Sequence, residues 1–160
     1  MAIILDTQHY FSATLQGTTQ AGTFPICYGQ EGAYGSSWLV QGTRPEEQEA
    51  IFLFKFIKEE GNRLWFDVRL NRDLSPRLGV GLGGEIGFHN IESTEPWKIE
   101  LHGDQSAPGA FEFLLRDHRG YRVGMTSEPL PGSARPRPGF EVRRLNVEQG
   151  ETVHFRANIL

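Results

Sequence analysis

The sequence predicts an all-β domain assembled from three units of four short strands. Three observations predict it. Apolar and polar residues alternate with a period of two through segment after segment, as in LWFDVRL and PWKIEL, which is the pattern of strands with one face buried. No window carries apolar residues at sustained helical spacing, and nineteen glycines interrupt most candidates before three turns could form. The pattern Glu, one spacer, then alternating apolar residues recurs at Glu49, Glu95 and Glu151.

The strands follow in order. HYFSATL opens the first unit, followed by TFPICYG, SSWLVQG and EAIFLFKF. LWFDVRL, RLGVGL, EIGFH and EPWKIEL make the second; AFEFLLRD, YRVGM, FEVRRL and ETVHFRANI make the third. Each is short, rich in aromatic and β-branched residues, and bounded by Gly, Pro, Asn or Asp. The stretch from Thr43 to Phe54, with Glu46, Glu47 and Gln48 after Pro45, is the best helical candidate and is expected to form one turn at most. The interval from Glu95 to Glu151 exceeds that from Glu49 to Glu95, and the surplus is one stretch, EPLPGSARPRPG, where a loop can absorb it. In the first unit Phe52, Phe54 and Phe56 compete with Ile51, Leu53 and Ile57 for the inward face, and a slip of one residue exchanges the two sets. Trp97, Ile99, Val153 and Phe155 are expected in the core, with Val80, Ile86, Val123 and Val142 beside them.

Three units of about 50 residues, none able to bury its apolar face alone, resemble the β-trefoil, whose repeats close a barrel together. The repeats fall at approximately 5–57, 62–103 and 109–160 of a single domain covering 1–160. The rival architecture is a lipocalin-like antiparallel barrel, weakened by the missing Gly-x-Trp near the amino terminus; a two-sheet sandwich comes third. Ricin-type lectins of the β-trefoil superfamily carry Gln-x-Trp at the head of each fourth strand. Here Glu49-x-Ile51, Glu95-x-Trp97 and Glu151-x-Val153 stand in those places, a degenerate form in which one Trp and no Gln remains. A Glu there is read as a turn anchor.

Composition narrows the function. A formal charge of -4 supplies no excess of cations for a phosphate backbone, so nucleic acid is not an expected partner, and salt-driven binding to anionic membranes is equally unsupported. An outward-facing run from Phe52 to Phe56 would be the one motive for membrane action. The start, MAIILDTQHYFSATL, has no basic leader and a short apolar run, so a cytoplasmic protein, or one released without a classical signal peptide, is expected. Cys27, the single cysteine, sits in FPICYG, where a small buried side chain is the commoner fate than a nucleophile.

Catalytic chemistry finds no motif. The histidines at 9, 89, 102, 118 and 154 make no His-x-x-x-His, so no metal and no cofactor are read from the sequence. GVGLGGEIG lacks the Lys-Ser/Thr of a phosphate loop, and Glu46-Glu47 and Glu59-Glu60 belong to solvated turns. The expectation is a non-enzymatic binding module. The lectin resemblance implies a sugar-binding Asp after the first strand of a unit, where Asp73 and Asp117 fall, with Asn90 and His118 as polar neighbours. The competing reading makes each Asp a turn residue bonding its own backbone. An alternative function, protease inhibition or protein recognition, rests on the loop 128–139, which four prolines stiffen and from which Pro131, Arg135 and Arg137 would project. The partner is accordingly a glycan or another protein.

Overall fold

The computed structural model describes residues 10–28, 37–41, 48–70, 77–81, 83–89, 95–129 and 141–160. Fourteen strands run through them: β1 (Tyr10–Thr19), β2 (Gly22–Tyr28), β3 (Ser37–Gln41), β4 (Gln48–Glu49), β5 (Ile51–Glu60), β6 (Arg63–Leu70), β7 (Arg77–Val80), β8 (Ile86–His89), β9 (Trp97–Leu101), β10 (Ala110–Arg116), β11 (Gly124–Pro129), β12 (Glu141–Asn146), β13 (Glu151–Thr152) and β14 (His154–Ile159). Six of them close an antiparallel barrel. β1 pairs with β5, β5 with β6, β6 with β9, β9 with β10, β10 with β14, and β14 returns to β1. Closure leaves these strands no free edge. Alternate residues point inward to a core in which Phe66 meets Phe11, Phe54 and Phe56 edge to face, each at 5.7 Å between ring centres, and Phe113 stacks on Phe155.

The remaining strands are hairpins inserted between barrel strands: β2 with β3, β7 with β8, and β11 with β12. They meet one another, since β3 pairs with both β12 and β8, and Glu85 bridges to Asn146. One close crossing needs a glycine. Gly150 has φ +97°, and a Cβ there would run into the Met125 backbone, so this position lets the chain reach β13 directly against β11.

The expected β-trefoil of three four-stranded repeats is corrected. The units hold five, four and five strands, because the last strand of the first and third breaks where an inward residue sends its amide to the hairpin: Ala50 N donates to Ile26 O and Val153 N to Val123 O. The second unit has Pro96 ahead of β9, a residue with no amide to give. The degenerate ricin-type motif fails in the same place. Ile51, its expected counterpart of Trp97 and Val153, is 37% exposed, whereas Phe52 is 1% exposed. The first copy is out of register by one residue, so Ala50 rather than Ile51 corresponds to Val153, and Glu49 no longer corresponds to Glu151. What stands is an all-β fold with a closed six-stranded antiparallel barrel and additional strands, and such a barrel is the feature the lipocalin-like alternative also has.

The core expectations fare better. Trp97, Ile99, Val153, Phe155, Ile86 and Val123 are buried, and Val80 packs partly buried against them; the Val142 side chain lies outside the described set. Phe52 and Phe54 are buried and Phe56 packs on the core, which removes the motive for membrane action. Among the described residues no helix is long and apolar enough to cross a membrane. Residues 48–54 of the helical candidate are strand apart from Ala50, and 43–47 lie outside the described residues. Cys27 is buried.

Candidate functional site

Three elements converge on a cavity of about 170 Å³ beside the barrel. β7 supplies Leu78, Gly79 and Val80; the entry to β9 supplies Glu95, Pro96 and Trp97; the turn after β10 supplies Asp117 and His118. The sequence builds each wall locally. Alternation turns Leu78 and Trp97 inward, and the Trp97 indole Nε1 donates to the Leu78 carbonyl at 2.9 Å, tying β9 to β7 where their side chains meet. A buried indole N–H needs such an acceptor, and finding it on β7 fixes the spacing of the two walls.

The third wall is a turn organised by Asp117, a carboxylate only 1% exposed. Its Oδ1 accepts from the amides of Arg119 at 3.0 Å and Tyr121 at 2.9 Å, and its Oδ2 accepts from Arg119 Nε at 2.9 Å and Nη2 at 2.8 Å. The turn closes through Gly120, whose amide donates to the Asp117 carbonyl and whose φ of +96° suits a residue without a Cβ. The hydrogen bond with Asp117 raises the Arg119 pKa above its ordinary value more than desolvation lowers it, and the charges of Asp117, Glu148 and Tyr121 add to the rise. The guanidinium also lies over the Tyr121 ring, 4.5 Å from its centre.

Four donors therefore occupy the Asp117 carboxylate, and its place in the cavity wall is that of a fixed, saturated group. The ionisable side chains that stand exposed at the cavity are Glu95 and His118. Val80, Pro96 and Trp97 contribute apolar surface to the same lining. Such a lining has an apolar floor, one carboxylate that accepts hydrogen bonds, and one imidazole that donates or accepts.

Of the residues expected to bind ligand, Asp117 and His118 come together in this cavity, while Asp73 and Asn90 lie outside the described residues. Pro131, Arg135 and Arg137 also lie outside them; the loop that carries them leaves and re-enters at the pair Pro129 and Glu141, the last rung of β11 and β12. The sequence presents Glu95 as a turn anchor and Trp97 as core, and gives no sign that both border the same space as His118. The adjacency of Glu95 to Trp97 was visible. Its meeting with residue 118 depends on β9 and β10 pairing antiparallel, which sequence spacing does not display.

A second, more open groove of about 390 Å³ runs between the β1–β2 turn and the third hairpin, past Gln20, Thr126, Ser127, Arg143 and Glu151. Glu151 Oε2 accepts from the Gln20 amide at 2.6 Å, so Glu151 holds a turn, as expected of this position. Among the described residues no three His, Cys, Asp or Glu side chains gather to hold a metal ion.

No family model, no curated protein and no solved structure matches this chain. The resemblance to the β-trefoil superfamily and its ricin-type lectins thus has neither a relative nor an intact motif behind it, and is withdrawn.

Proposed function

We propose that the protein is a non-enzymatic binding module whose cavity between β7, β9 and the turn at His118 takes a single sugar ring or a comparably small polyhydroxylated ligand. The observation that supports this reading is that the exposed residues Glu95 and His118 line one cavity of about 170 Å³ together with the apolar Val80, Pro96 and Trp97. That volume is below the roughly 300–1,000 Å³ of pockets that enclose drug-sized molecules, so one ring, held by its edge hydroxyls and its apolar face, is the scale of ligand that suits it. The Asp117 turn acts as a rigid support for His118 and makes no direct contact in this reading. Saturation-transfer NMR against a panel of monosaccharides tests it. Signals for at least one sugar should appear with the native chain and weaken by about tenfold or more in Glu95→Gln and His118→Ala. A blank panel, or signals indifferent to both substitutions, overturns the proposal.

A second reading, protein recognition or protease inhibition by the proline-rich loop, has one observation in its favour: the pair Pro129 and Glu141 holds the two ends of that loop on one hairpin. Stiff loops on a rigid base lose less entropy on docking. Replacing residues 130–140 by a short glycine linker should abolish inhibition of a protease panel while leaving the unfolding midpoint within the error of the native chain. Absence of inhibition by the native chain removes this reading.

A further inference from the structure

His102, just past the end of β9, and His154, the first residue of β14, stand on the outer face of the barrel with β10 running between their strands. Two strands flanking a third are separated by roughly 9.5 Å, twice the inter-strand spacing. The imidazole rings nevertheless meet, with centres 5.1 Å apart and planes at 35°. Both side chains must therefore lean toward each other across β10. Leu114, which alternates with the inward-facing Phe113 and Leu115 on β10, is only 6% exposed. The rings themselves remain exposed to solvent.

Two imidazoles this close on a rigid sheet can share an ion, because a closed barrel fixes their backbones and leaves only side-chain torsions to adjust. The spacing suits the chemistry. A tetrahedral ion at about 2.0–2.1 Å from one nitrogen of each imidazole holds the two ring centres roughly 5 Å apart. We propose that His102 and His154 form a surface site for a borderline divalent transition-metal ion, of which Zn²⁺, Ni²⁺ and Cu²⁺ are the class that imidazole selects. No third His, Cys, Asp or Glu among the described residues joins them, so water completes the coordination and the ion stays exchangeable. Glu112 lies on the same outer face, but its Oε2 accepts from the Asp104 amide and serves that turn. A bound ion ties β9 to β14 over β10, and since it binds only the folded barrel it raises the unfolding temperature.

The experiment is a titration of the full chain with ZnCl₂, followed by calorimetry and by NMR of the imidazole resonances. One ion per chain is expected, with the His102 and His154 resonances moving together. His102→Ala and His154→Ala should each weaken binding by about tenfold or more, whereas His118→Ala leaves it unchanged. Resonances of His102 and His154 that stay fixed up to millimolar Zn²⁺ overturn the proposal, as does native affinity in either alanine variant. Because the resonance shifts are read on the native chain, they decide the matter even if a variant folds poorly.

Discussion

At the scale of single residues, Asp117 separates what a carboxylate can do in a turn from what it can do for a ligand. Its two oxygens receive two backbone amides and two guanidinium nitrogens of Arg119, so removing them leaves the amides of Arg119 and Tyr121 without their acceptor in a part-buried turn. Asp117→Ala is expected to lower stability by roughly 2–4 kcal/mol, seen as a lower urea midpoint at unchanged slope. Arg119→Ala should cost less, because both backbone amides still hold the carboxylate, although the 1% exposed Asp117 then loses its cation. The sequence offered both readings of Asp117, turn anchor and ligand. Choosing between them required seeing that the next four residues fold back onto it, which DHRGY allows but does not announce.

At the scale of elements, the outer faces of β6, β9 and β10 are linked by charge. Glu100 on β9 accepts from Arg116 Nη2 on β10 at 3.2 Å and from Asn62 Nδ2, and lies 3.8 Å from Arg63 on β6. Burial pushes the Glu100 carboxyl upward, but the hydrogen bond and charge of Arg116, the charge of Arg63 and the Asn62 hydrogen bond outweigh it and leave it below the ordinary value of 4.5. A carboxyl lowered in the folded state binds its proton more readily when unfolded. Its contribution is therefore complete above pH 4.5 and fades as the pH falls through the lower folded value. Glu100→Gln should lower the urea midpoint at about pH 7, and the gap to the native chain should narrow progressively as the pH falls below 4.5; a gap that does not narrow in acid would contradict this. The same scale explains the register error in β5. IFLFKF presents large apolar residues on both faces, so period-two reasoning had no contrast to work with, and pairing with β1, where Phe11 stacks on Phe54 at 4.9 Å, selected the phenylalanines for the interior.

At the scale of the whole molecule, closure makes the barrel cooperative. Phe66 touches rings from β1 and β5 at once, so truncating it opens a cavity shared by neighbouring strands. Phe66→Ala is expected to cost about 3–5 kcal/mol, with circular dichroism and tryptophan fluorescence still falling together in one transition. Much of this architecture was legible. The strands from β6 to β10 stand close to where alternation and turn residues put them, and Trp97, Ile99 and Phe155 are inside because a half-buried strand repeats every two residues whatever surrounds it. The site is legible in part: the sequence marks Asp117 and His118 as candidates and Glu95 as a turn anchor, while nothing in it pairs His102 with His154. By itself the sequence determined the class of structure, the positions of most strands and the larger part of the core, since those follow from local periodicity and turn chemistry. Only the tertiary structure decided which face of β5 goes inward, how many strands each unit holds, and which distant side chains share a cavity or a stretch of outer wall. Those outcomes depend on pairings between strands far apart in the chain, and pairing energy is settled by the partner strand as much as by the strand itself.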